Sequence, residues 1–203
     1  VDADIVRRLR AGDEVAFTEL VSTYQTSLVR LARTFVPSAA LAEDVVQETW
    51  IAVIRGIDRF EGRSSLKTWI YAILVRRART AGAREPRHRL LEDVRDASGD
   101  GDDPLDGRFD ARGGWTEPPA EWPDDVDDRL SAPQMARRVR EAINELPASQ
   151  RQVVTLRDVE GLDPTEVCDL LGISEGNQRV LVHRARTRLR ALIESEMAEE
   201  ARS

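Results

Sequence analysis

Glu175, Gln178, Arg179, Val182, His183 and Arg186 fall at i, i+3, i+4, i+7, i+8 and i+11, the spacing of one face of an α-helix. Gln and Arg bond base edges in a major groove, and Arg and His reach phosphates. Arg184, Arg188 and Arg190 extend the positive field. A charge run alone is also what a solvated helix of an ordinary bundle carries. A second set, Asp44, Gln47, Glu48, Ile51 and Arg55, lies at i, i+3, i+4, i+7 and i+11. An acidic-polar face holding one isoleucine suits docking on a basic partner helix, and by itself it is also the composition of a solvated face. The third set runs through Phe60, Glu61, Gly62, Arg63, Ser64, Ser65 and Lys67 to Arg76 and Arg77. A Gly/Ser loop beside cations suits single-stranded nucleic acid, with base pockets in the loop and phosphates on the basic side chains. Trp69 reads as core by its spacing rather than as a stacking platform.

Each set needs a rigid element beneath it. Phe17, Leu20, Val21, Tyr24, Leu28, Leu31 and Phe35 recur at helical spacing, and Pro37 stops that helix. Ser38 caps the next, expected over 39–57, with Val46, Trp50, Val53 and Ile57 as its apolar stripe. Ser64 or Ser65 caps a third, with Leu66, Trp69, Ile70, Ile73 and Leu74 inward. Further on, Ala136, Val139, Ile143 and Leu146 make a helix ended by Pro147, and Gln150 to Val159 make another, stopped at Gly161. Asp163-Pro164-Thr165-Glu166 combines an N-cap, a first-turn proline and the glutamate of a capping box. The helix it starts, Pro164 to Leu171, buries Val167, Leu170 and Leu171. Gly172-Ile173-Ser174 breaks it, and Ser174 caps a longer helix with Val180, Leu181, Ala185, Leu189 and Leu192 inward. A short helix, a tight glycine turn and a longer helix is the helix-turn-helix pattern. Together with the capping box, the turn favours DNA binding over the solvated-helix reading.

No segment alternates with period two, and aromatics are only 5% of residues, which argues against a β-sandwich or barrel. The expected fold is all-α: two small helical domains, 1–91 and 134–203, joined by a flexible acidic linker over 92–133. One cysteine, Cys168, excludes an internal disulfide, and two distant histidines, His88 and His183, argue against a histidine metal site. Asp100, Asp102 and Asp103 lack the spaced glutamate of a calcium loop. No Ser/His/Asp set sits on rigid elements, so neither catalytic residues nor a cofactor or metal is expected. There is no apolar run of ~20 residues and no signal-peptide core, so a cytoplasmic protein without membrane insertion is expected.

The net charge of −7 hides an asymmetry. Residues 92–128 hold 14 Asp/Glu against three Arg, while the rest of the chain holds 27 basic and 23 acidic residues. The acidic stretch is too polar to offset its ordering entropy and reads as a tether. Trp115 and Trp122 within it are either docking groups or incidental.

At this point a resemblance becomes specific. Ala42-Glu43-Asp44-Val45-Val46-Gln47-Glu48-Thr49, followed by Phe60-x-Gly62-x-Ser64-Ser65-Leu66-Lys67-Thr68-Trp69-Ile70-Tyr71-Ala72-Ile73, resembles region two of bacterial RNA polymerase sigma factors of the extracytoplasmic-function (ECF) group. Leu146-Pro147-Ala148-Ser149-Gln150-Arg151-Gln152-Val153-Val154, then Gly161-Leu162 and the helix-turn-helix, resembles region four. The resemblance implies a promoter-recognition subunit that is not an enzyme. It implies that Asp44, Gln47, Glu48 and Ile51 meet the coiled coil of the polymerase β′ subunit. Phe60 to Ser65, with Lys67, Arg76 and Arg77, would open and hold the minus-ten element. The helix after Ser174 would read the minus-thirty-five element through Glu175, Gln178, Arg179, Val182, His183 and Arg186, with region four also touching the β flap. An anti-sigma factor is an expected further partner.

This chain departs from the family's Thr-Val-Lys-Ser-Arg-like run, carrying Gly176-Asn177-Gln178-Arg179-Val180-Leu181-Val182 instead. The acidic linker either mimics nascent RNA in the exit channel or is a plain tether. The rival readings are a stand-alone helix-turn-helix regulator, which leaves the Asp44 face and the Phe60 loop unexplained, and a helical adaptor that binds no DNA.

Overall fold

The structure is a computed structural model that describes residues 2–83 and 132–200. The expected linker therefore lies outside the described residues, apart from its last two, as do Trp115, Trp122 and His88. The first block holds α1 (Asp2–Arg10), α2 (Glu14–Ala32), α3 (Ala39–Gly56), a single 3-10 turn (Ile57–Arg59) and α4 (Leu66–Ala83). The second holds α5 (Ala132–Glu145), α6 (Ala148–Val154) running into a π-helical turn (Thr155–Val159), α7 (Pro164–Leu171) and α8 (Glu175–Glu200). The described residues are helical with no strand, in two regions, as expected.

Local chemistry sets most of the boundaries. Asp13 caps α2, its carboxylate accepting from the Val15 and Ala16 amides at 2.9 and 3.0 Å. Ser38 caps α3 through the Leu41 amide at 3.2 Å. Ser65 accepts from the Thr68 amide at 3.0 Å at the start of α4. Helix α1, which the sequence reading did not propose, adds a second cap there: Asp2 Oδ2 accepts the Leu66 amide at 2.9 Å. Asp163 and Glu166 form the capping box of α7, with the Asp163 amide donating to Glu166 at 3.0 Å.

The two helical regions also share a core. Val153, Leu156, Leu162, Val167, Leu170, Leu171 and Val182 of the second block lie in one buried cluster with Leu28, Leu31, Val46, Val53, Ile70, Tyr71 and Leu74 of the first. A smaller cluster of Ala142, Ile143, Leu146, Val154, Ala185, Leu189 and Ile193 ties α5 and α6 to α8. The second block thus shows apolar residues in two directions, and only one of them is satisfied within the block.

A buried carboxylate pins this interface. Glu160 Oε2 accepts from the Tyr71 hydroxyl at 2.6 Å, and Oε1 from Arg30 Nη1 at 3.1 Å. Lys67 Nζ donates to the Glu160 carbonyl and stands 5.5 Å from the centre of the Tyr71 ring. Burial first, and then Glu160, push the Tyr71 hydroxyl well above the ordinary tyrosine range. Gln152 reaches the Thr34 carbonyl at 3.2 Å, and Arg79 reaches the Leu171 carbonyl at 2.5 Å.

Candidate nucleic-acid interface

Helix α3 presents Asp44, Gln47, Glu48, Ile51 and Arg55 together on its exposed side, opposite buried Val46, Trp50 and Val53. Ile51 and Ile54 are 49% and 55% exposed. Two large aliphatic side chains therefore stand in water beside carboxylates. Glu48 pairs with Arg77 of α4 at 2.8 Å, both ends in contact with solvent.

The loop before α4 is open to solvent from Glu61 to Ser65. Phe60 is half-buried, its ring 5.2 Å from that of Trp69 and tilted by 52°. Arg10 of α1 anchors the loop, donating to the Phe60 carbonyl at 2.6 Å and the Ile57 carbonyl at 3.2 Å. Glu61 and Arg63 pair at 2.6 Å on the surface. Lys67 and Arg77, expected to face a DNA strand, are engaged instead by Glu160 and Glu48. Arg76 remains exposed, and with Arg63, Ser64, Trp69, Glu166 and Asp169 it lines a cleft of about 740 Å³ between α4 and α7.

The helix-turn-helix turns at Gly172, whose φ of 66° is left-handed and whose amide closes α7 on the Cys168 carbonyl at 2.8 Å. Ser174 caps α8 through the Asn177 amide at 3.2 Å. The outward face of α8 differs from the expected one. Gln178 is only 3% exposed and Val182 is buried, whereas Val180, expected inward, faces solvent. The seam that α8 presses inward is Gln178, Val182, Ala185 and Leu189, with Val182 joining Val167 and Leu170 beneath the turn. Glu175, Arg179 and Arg186 stay exposed, and His183 is half-buried. Burial first, and then Arg186, lower the His183 basicity below the ordinary histidine range, favouring its neutral form.

Arg186 is not a loose side chain. Its Nε and Nη2 donate to Asp158 Oδ2 and Oδ1 at 2.9 and 2.7 Å, a bidentate pair across to the π turn. Asp158 on this surface, and the Glu160–Tyr71 pair buried behind it, have polar roles that the sequence did not indicate. The adjoining Gly161 marked a turn, but nothing local told which way the acids on it point. Among the described residues no group of three or more His, Cys, Asp or Glu could hold a metal ion, and no helix is long and apolar enough to cross a membrane.

Residues 20–87 match the family model for sigma-70 region 2, and residues 136–189 that for sigma-70 region 4. Two helical regions in that order, the second ending in a helix-turn-helix, define a promoter-recognition subunit of bacterial RNA polymerase. The chain belongs to the ECF sigma factors. It is 30% identical over 186 residues to the ECF RNA polymerase sigma-E factor of Escherichia coli strain K12, spanning 91% of this chain and 90% of that one. To the sigma-E factor of Haemophilus influenzae it is 29% identical over 185 residues, 91% of each chain. In fold it is similar to CnrH solved in complex with the cytosolic domain of CnrY, at 21% identity and a TM-score of 0.57 over 96% of this chain and 97% of that one. It is also similar to the sigma factor RpoE of Bartonella quintana solved with the anti-sigma factor NepR, at 24% identity and a TM-score of 0.51 over 88% of this chain and 96% of that one. With region 2 matched as well, a stand-alone helix-turn-helix regulator is not favoured.

Proposed function

We propose that the first block carries polymerase docking and minus-ten recognition, and that the second reads the minus-thirty-five element. The observation that carries the docking assignment is the exposed α3 face, where Ile51 and Ile54 stand beside Asp44, Gln47 and Glu48. Aliphatic side chains ringed by carboxylates suit a basic helical partner, here the β′ coiled coil. The open loop from Phe60 to Ser65, backed by exposed Arg76, is the minus-ten surface. Unstacking a base costs a few kcal/mol, and a pocket beside cations offsets it. Lys67 and Arg77 join that surface once Glu160 and Glu48 release them. On α8, Ser174, Glu175, Arg179, His183 and Arg186 form the DNA-facing set, while buried Gln178 and Val182 support it from below.

The protein works in the cytoplasm, where polymerase and chromosome are, and it performs no catalysis of its own. An anti-sigma factor is the third partner, supported by the fold relative solved with NepR. The test is binding and transcription with purified core polymerase. Reversing Asp44 and Glu48 together to Lys should abolish core binding and promoter-dependent transcripts while leaving the helical circular-dichroism signal unchanged. Unaltered core affinity would overturn the docking assignment.

A further inference from the structure

We propose that Asp158 is a positioning residue for promoter recognition: its carboxylate holds the Arg186 guanidinium so that the outer edge is presented to a DNA phosphate. The inference rests on the reading of α8 as the minus-thirty-five helix. Asp158 occupies one edge of the guanidinium through Nε and Nη2 at 2.9 and 2.7 Å. A guanidinium has five N–H donors in a fixed plane. The two spent on Asp158 leave those on the opposite edge, at Nη1 and Nη2, to bond elsewhere. The Arg186 side chain is 59% exposed and that of Asp158 30%, so the arginine projects past its partner into solvent.

The support beneath is rigid. Asp158 sits in the π-helical turn Thr155–Val159, whose Thr155 and Leu156 are buried. The turn is closed by the Glu160 amide on the Thr155 carbonyl at 2.9 Å and the Leu162 amide on the Leu156 carbonyl at 3.0 Å. Arg157 adds a bond to the Leu162 carbonyl. Arg186 lies about 18 Å along α8 from its Ser174 cap at the helical rise per residue, where a helix that enters a groove by its N-terminus meets the backbone again. An arginine immobilised beforehand does not lose its rotamer freedom on binding DNA. Arg179 shows the contrast: exposed, it meets Glu175 of its own helix, Nε donating to the carbonyl at 3.3 Å and Nη2 standing 3.9 Å from the carboxylate, in place of a bidentate hold from another element.

The alternative role for Asp158 is to cancel the charge of Arg186, and that role has the opposite sign. Promoter affinity is measured for polymerase reconstituted with the full chain, on one promoter with its minus-thirty-five element and one with that element scrambled. Asp158→Asn keeps the side-chain size. It should weaken binding to the intact promoter by about two- to ten-fold, the cost of ordering one long side chain. A phosphate contact carries no sequence information, so the loss should appear on the scrambled promoter as well, and it should add nothing in an Arg186→Ala background. Tighter binding would show charge cancellation and overturn the proposal. A loss confined to the intact promoter would show a base contact rather than a phosphate contact, and a loss undiminished by Arg186→Ala would show a role in folding alone; either overturns the proposal. If Arg186→Ala weakens binding and Asp158→Asn does not, the positioning role falls while the α8 assignment stands. If Arg186→Ala changes nothing, the α8 contact itself falls.

Discussion

Tyr71→Phe removes one oxygen, and with it the hydroxyl that satisfies Glu160 Oε2 at 2.6 Å inside the shared core. A hydrogen bond to a charged group contributes about 1.5–3 kcal/mol, so the variant should lose that much in urea denaturation. The wild type also carries a pH signature. Burial and Glu160 raise the Tyr71 hydroxyl above its unfolded value near 10. The native state then holds that proton when the unfolded state has released it. The stabilisation is complete below pH 10 and declines as pH rises above it. Tyr71→Phe should flatten that alkaline decline, which denaturation midpoints from pH 8 to pH 11 would measure. Nothing in the sequence announced this pair. Glu160 stands before a turn glycine and reads as a surface acid, and its partner is 89 residues away. Only tertiary packing brings them together. By contrast, the exposure of Asp44, Gln47 and Glu48 followed from spacing alone, because Val46, Trp50 and Val53 fix the opposite side of the same helix.

Among the helices, the clearest boundaries are those with a local chemical mark. Pro37-Ser38 and Asp163-Pro164 start α3 and α7 where the sequence places them. The phase of α8 was harder. Its run Gln178-Arg179-Val180-Leu181-Val182 mixes polar and apolar types, and the packing beneath the turn chose buried Gln178 over exposed Val180. Two glycines set element geometry and can be tested separately. A Cβ at Gly172 would meet nothing within 4 Å, so Gly172→Ala pays only for its left-handed backbone, about 1–2 kcal/mol. A Cβ at Gly82 would lie 2.4 Å from the Phe35 carbonyl oxygen, where α4 crosses the end of α2. Gly82→Ala must move backbone, and overpacking of this kind costs about 1–3 kcal/mol. Thermal denaturation should rank both variants below wild type. A Gly82→Ala protein as stable as wild type would mean that α4 and Phe35 do not touch in solution.

At the scale of the molecule, two helical regions were legible from the break in apolar periodicity from about Glu92, but their common core was not. The residues that join them are ordinary Val and Leu on helices that look complete by themselves. Glu160 links three side chains of the first block through Tyr71, Arg30 and Lys67. Glu160→Ala should therefore loosen the pair of blocks and lower the sedimentation coefficient of the free protein, with its helical circular-dichroism signal retained. An unchanged coefficient would show that apolar contacts alone hold the blocks together.

That common core meets a ruler fixed by DNA. Promoter elements named for positions minus ten and minus thirty-five are separated by about 25 base pairs, or about 85 Å of duplex at 3.4 Å per pair. Helices α4 and α7 touch, with Arg79 on the Leu171 carbonyl, so the two reading surfaces lie far closer than that. The joining segment 84–131 is long enough, since a chain of that length reaches about 160 Å when fully extended. On the proposed assignment the described arrangement grips one element at a time. Gripping both exposes Val153, Leu156, Leu162 and Val167 to water unless polymerase covers them. The cohesion between the blocks then subtracts from the affinity for a complete promoter, and a substitution that weakens it makes the protein less stable yet a tighter promoter binder.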